Sequence, residues 1–170
     1  MEIDPEQVKK LAAKKEDENQ DFIDYLRNCD HFKIDDIVHS LSQKHLLLYD
    51  CTECANCCKK LIITLSEEEI IEIAEFLAIS TDELKNTFVE RKTAQGYVLN
   101  GPGCPFLDGN KCMVYGCRPE TCSSFPHLHK DNINHRLINI MDNTYICPIV
   151  YNIIEELKEE LSFKYSANVK

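Results

Sequence analysis

Four thiols fall within eight residues in Cys51-Thr52-Glu53-Cys54-Ala55-Asn56-Cys57-Cys58, the densest concentration of chemistry in the chain. Further cysteines stand at Cys104, Cys112, Cys117 and Cys122, and Cys147 precedes a proline. Two cysteines separated by two residues reach one metal centre from a single tight turn, and Cys51, Cys54 and Cys57 use that spacing twice. A C-x2-C-x2-C run also opens the bacterial ferredoxin pattern, whose fourth cysteine precedes proline. Here the Cys-Pro pairs are Cys104-Pro105 and Cys147-Pro148, while Cys58, directly after Cys57, departs from ferredoxin spacing. Adjacent side chains are expected to diverge. Cys57 and Cys58 should therefore serve two centres, or one ligates while the other packs or bridges.

With Cys51, Cys54, Cys57, Cys58, Cys104, Cys112, Cys122 and Cys147 the chain offers eight candidate ligands. Eight thiolates suit two four-ligand sites or one multinuclear site, and thiolate chemistry selects zinc, iron or an iron–sulfur cluster. Cys117 and His127 are secondary candidates; His129 would share a face with His127 on an extended segment and is otherwise a surface histidine. Lys59, Lys60 and Arg118 stand close in sequence to the thiols and would offset accumulated negative charge. Cys147, just before a helix start, would feel the helix dipole, which favours thiolate. Cys29 stands alone and reads as a small apolar side chain. No H-E-x-x-H, G-x-S-x-G or glycine-rich phosphate loop occurs.

Composition narrows the setting. The 170 residues fit one domain with a core large enough to need no staples. The N-terminal residues carry no basic and apolar leader pattern, and the longest apolar runs fall far short of a membrane span. The expectation is a cytoplasmic protein without membrane partners, in which clustered thiols bind metal instead of forming disulfides. A formal net charge of -10 disfavours nucleic acid as a partner and leaves metal ions as the expected ones.

The elements that must position these residues read as α+β, mostly helical, with short strands and a hairpin around a composite cysteine centre. Asp4-Pro5 starts a helix carrying Val8, Leu11 and Ala12, then Phe22, Ile23 and Leu26, with a polar stretch between. A second helix spans 34–49. Leu61 to Leu65 reads as a strand. Capping boxes at Ser66-Glu69 and Ser80-Glu83 start two helices, the second carrying Leu84, Phe88 and Val89. Tyr97 to Leu99 is a strand ended by Asn100-Gly101-Pro102-Gly103. Asp108-Gly109 turns a hairpin that draws Cys104 towards Cys112. Residues 118–124 form a short helix after Pro119, and 136–141 a strand. A last helix begins at Cys147-Pro148, with Glu155, Glu156, Glu159 and Glu160 facing water. The expected organisation is a helical extension over 1–50 and a metal-binding domain over 51–165, forming one compact unit overall.

The ordered set Cys51-x2-Cys54-x2-Cys57-Cys58, Cys104-Pro105-Phe106-Leu107, Cys112-Met113-Val114-Tyr115 and Arg118-Pro119-Glu120-Thr121-Cys122 resembles the YkgJ-type cysteine-cluster family, the zinc- or iron-chelating CxxCxxCC domain. The resemblance covers roughly residues 51 to 126. It implies metal binding through Cys51, Cys54, Cys57, Cys58, Cys104, Cys112 and Cys122, with no agreed reaction. Cys117 falls where the family pattern asks for no cysteine. The expected function is metal binding; alternatives are an iron–sulfur redox protein or metalloenzyme using the same centre, and a zinc-dependent module for protein partners.

Overall fold

A computed structural model describes residues 1–101 and 103–166; Pro102 of the expected strand break lies outside the described residues. The fold is mostly helical with minor β-strands. The chain divides into two units, Met1–Asp50 with the segment from Pro126 onward, and Cys51–Phe125. Among the described residues, no helix is long and apolar enough to cross a membrane.

The first unit is all helical. Asp4 caps α1 (Pro5–Lys14) by accepting from Glu6 N at 2.9 Å, with Pro5 at the first helical position. The single N-terminal helix expected from the sequence is instead two. The backbone breaks at Lys15 (φ −106°, ψ 18°), whose ammonium pairs with Glu155, and α2 (Glu16–Arg27) follows. Asp30 caps α3 (His31–Leu48) through Phe32 N at 3.0 Å. The buried Asp35 carboxylate on α3 accepts from Asn132 N at 2.7 Å and Ile133 N at 3.0 Å, satisfying the start of a 3-10 turn at Ile133–His135.

Residues 136–141 were expected as a strand and form a helix, Leu137–Asn143. Leu137, Ile140 and Met141 are buried at helical spacing while Ile138 is exposed, so the period of 3.6 overrides the β-branched composition. Cys147 stands at the N-cap position of the C-terminal helix, Pro148–Glu160, without a side-chain capping bond, and the helix packs against α1, α3 and the Leu137–Asn143 helix. Two of its glutamates do not simply face water: Glu156 accepts from His45 Nε2 at 2.8 Å, and Glu155 receives Lys158 at 2.8 Å. The Lys158 side chain is only 6% exposed and also donates to Glu18 Oε1 at 2.8 Å and Asn19 Oδ1 at 2.7 Å.

In the second unit, two short helices, α4 (Cys51–Cys54) and α5 (Asn56–Lys60), meet at Ala55, which is buried and left-handed (φ 48°). Strand β1 (Thr64–Leu65) leads into α6 (Glu67–Leu77), started by a complete Ser66/Glu69 capping box. Helix α7 (Thr81–Phe88) is capped by Ser80 through Glu83 N at 3.1 Å. It stops at Phe88, and Val89, expected on the helix, opens strand β2 (Val89–Thr93).

Strand β3 (Gly96–Leu99) pairs antiparallel with both β1 and β2, giving the order β1-β3-β2. Thr64 sits opposite Val98, and Thr93 opposite Gly96. Gly96 (φ 129°) is required there, because a Cβ would stand 2.3 Å from Leu65 O. The hairpin forms at its Asp108-Gly109 turn between β4 (Leu107–Asp108) and β5 (Lys111–Cys112), with Leu107 opposite Cys112. A 3-10 turn at Tyr115–Cys117 precedes helix α8 (Glu120–Ser123); in chain order the Leu137–Asn143 and Pro148–Glu160 helices are α9 and α10. The core gathers Leu65, Ile70, Ile73, Leu84, Phe106 and Val114, and Cys104, Cys112, Cys117 and Cys122 pack against it.

Replacing Lys158 by alanine leaves Glu18, Asn19 and Glu155 without their shared donor. It is expected to destabilise the protein by about 3 kcal/mol, read as a lowered urea midpoint; a loss under about 1 kcal/mol would show that the cation contributes no more than a surface pair.

Candidate metal centre

Main-chain bonds bring the separate cysteine segments of the second unit together. Cys104 N donates to Cys58 O at 2.8 Å, joining α5 directly to the segment before the hairpin. The approach needs a residue without a side chain. Gly103 lies at φ 92°, and a Cβ there would meet Lys59 O at 3.0 Å. Leu107 N then donates to Cys104 O at 3.2 Å and Met113 N to Phe106 O at 2.8 Å, so the hairpin carries Cys104 and Cys112 on its two arms. Phe106, 1% exposed, anchors it in the core.

Cys122 arrives on α8. Glu69, half of the capping box on α6, uses its second oxygen to accept from Glu120 N at 2.8 Å. One carboxylate thereby satisfies the starts of two helices and fixes where Cys122 stands. Thr121 Oγ1 adds a bond to Thr64 O at 3.3 Å. The sequence marks Glu69 only as a helix cap; its second partner is 51 residues away and carries no local signal.

Electrostatics record the resulting proximity. Cys58 is lowered to about 6, first by the hydrogen bond from the Cys57 thiol, then by the Arg118 charge, its own backbone N–H and Lys59, against the opposing effect of burial. Both cysteines stand on the short helix α5. Burial pushes Cys104 up to about 11, and the charges of Cys112 and Cys58 add to it. Cys122 is pushed up to about 12 by burial and then by Cys104, Cys58 and Cys112, with Arg118 opposing. Cys117 is raised by burial, then by Cys112 and Glu72. The Arg118 guanidinium stacks 3.8 Å from the Tyr115 ring centroid.

Electrostatic influence thus links Cys58, Cys104, Cys112 and Cys122, with Cys57 acting on Cys58 and Cys112 on Cys117. Cys51 is exposed and Cys54 half-buried on the single turn of α4. Cys147 and His127 belong to the other unit: Cys147 is buried at the α10 cap, and His127 (φ 61°) has its carbonyl held by Arg136 at 2.8 Å. His129 is exposed. Cys29 is half-buried and its thiol lies 3.4 Å from Tyr25 O.

Cys54, Cys58, Cys104, Cys112 and Cys122 are free thiols, a donor set whose softness fits zinc or iron and not magnesium or calcium. Among the described residues, however, no group of three or more histidine, cysteine or acidic side chains is already spaced to hold a metal ion. Donor chemistry fits zinc or iron.

A family model described as "CxxCxxCC: Putative zinc- or iron-chelating domain" matches residues 50–148, more than half of the chain. No solved structure matches.

Two measurements check this geometry. In metal-free protein at pH 7, Cys58 should be the cysteine of this group alkylated fastest by iodoacetamide, its rate reaching half-maximum near pH 6 because the thiolate fraction rises with pH; Cys104 and Cys122 should resist. Equal rates at all three would contradict the thiol–thiol bond. Gly103→Ala should destabilise the protein by about 1–3 kcal/mol, whereas Gly101→Ala, with open space around it, should cost less.

Proposed function

The chain belongs to the CxxCxxCC family, and from that premise we propose that it is a metal-binding protein chelating zinc or iron through the thiols of its second unit. The ligands are drawn from Cys51, Cys54, Cys57, Cys58, Cys104, Cys112 and Cys122. The observation that supports this best is the electrostatic linkage of Cys58, Cys104, Cys112 and Cys122 across three separate segments, two of them joined by the Cys104–Cys58 main-chain bond, with Arg118 acting on Cys58 and Cys122. Arg118 acts on Cys58 and Cys122 and Lys59 on Cys58, positive charges that offset thiolate and serve no purpose for thiols that only fill a core.

The residues divide the work. Cys58, already favoured as thiolate by Cys57, Arg118 and Lys59, is the first attachment point. Cys104 is held neutral by burial and by Cys112 and Cys58, and Cys122 by burial and by Cys104, Cys58 and Cys112; both release their protons on binding. A bound zinc or iron supplies the positive charge that makes several adjacent thiolates tolerable. Glu69 and the Cys104–Cys58 main-chain bond hold the donors while this occurs. Because such thiols must stay reduced, the setting proposed is the cytoplasm.

Elemental analysis of anaerobically purified protein tests the reading. Zinc or iron at stoichiometric level is expected, and Cys57→Ser and Cys58→Ser should each lower it, while Cys29→Ser should not. Metal content unchanged in both of the first two variants would overturn the proposal. Visible absorption that bleaches with dithionite would identify the centre as an iron–sulfur redox site; colourless zinc protein would exclude that version.

A further inference from the structure

We propose that Asn110 is a positioning residue of the thiol centre, clasping the α4 turn that carries Cys51 and Cys54 to the hairpin that carries Cys104 and Cys112. The inference rests on the metal-binding reading above and names how its outer ligands are placed. Asn110 follows Gly109 (φ 58°) in the hairpin turn and stands two residues before Cys112. Its amide is used at both ends. Nδ2 donates to Glu53 O at 2.8 Å, and Oδ1 accepts from Lys59 Nζ at 2.6 Å. The same ammonium lies 3.4 Å from Cys54 O.

Glu53 O and Cys54 O are terminal carbonyls of a one-turn helix. Such a helix has no stability of its own, and the left-handed Ala55 prevents it from running on into α5. A contact from outside must therefore set where Cys51 and Cys54 stand. The clasp answers that need with one short side chain that both donates and accepts, a combination an aspartate or an alanine lacks. Asn110 is solvent-exposed, so its bonds add little to global stability. That separates positioning from support: loss of the clasp should disturb metal binding far more than folding.

Cobalt(II) titration of the full chain, read by the thiolate-to-cobalt charge-transfer band, tests this. Asn110→Ala is expected to bind cobalt about tenfold more weakly, with a band per bound cobalt reduced towards that of Cys54→Ser, and to leave the unfolding midpoint of metal-free protein unchanged. Wild-type affinity and band intensity in Asn110→Ala would overturn the clasp while leaving the metal reading intact. A wild-type protein that binds no cobalt would overturn the metal reading and the clasp with it. If Asn110→Ala does not fold, Asn110→Asp keeps an acceptor for Lys59, replaces the donor to Glu53 O by a carboxylate oxygen, and carries the same expectations.

Discussion

One main-chain hydrogen bond, from Cys104 N to Cys58 O, joins two cysteine-bearing stretches that lie far apart in the sequence. It closes only because Gly103 lets the backbone pass against Lys59. The course of the hairpin follows from that closure. The hairpin leaves Cys104 in a fixed direction, Phe106 enters the core, and Cys112 returns on the opposite strand. Glu69 completes the arrangement by tying α8, and Cys122, to the start of α6.

The electrostatic state of the cluster is a compromise between burial and charge. Half-burying several thiols side by side makes a second thiolate costly once the first has formed. Cys58 takes the favoured position beside Cys57, Arg118 and Lys59, and Cys104 and Cys122 are held protonated. Arg118 acts on both Cys58 and Cys122 while its guanidinium lies on the Tyr115 ring, so the charge that serves the sulfurs is itself held by packing.

Local signals were legible where their physics is local. Ser66-Glu69, Asp108-Gly109 and Cys147-Pro148 each start or turn the element expected of them, because caps and turns depend on a few adjacent residues. Over 136–141 the isoleucines suit a strand, while Leu137, Ile140 and Met141 bury a helical face. Strand β2 carries no local signal, because Glu90-Arg91-Lys92 has no apolar alternation; it is an edge strand paired to β3, where such charges belong. In the candidate site, cysteine spacing named the donors, yet nothing local in Glu69 announced its bond to Glu120. Partners far apart in sequence leave no mark in either neighbourhood.

The chain order of the two units has a consequence for synthesis. Helices α1 to α3 depend on α10, whose residues begin at Pro148, whereas every element of the thiol-bearing unit has emerged by Phe125. A chain leaving the ribosome N-terminus first can therefore complete the thiol unit while the helical one is still waiting for its last member. The cysteines meet their first solvent, and any ion in it, before the protein is finished.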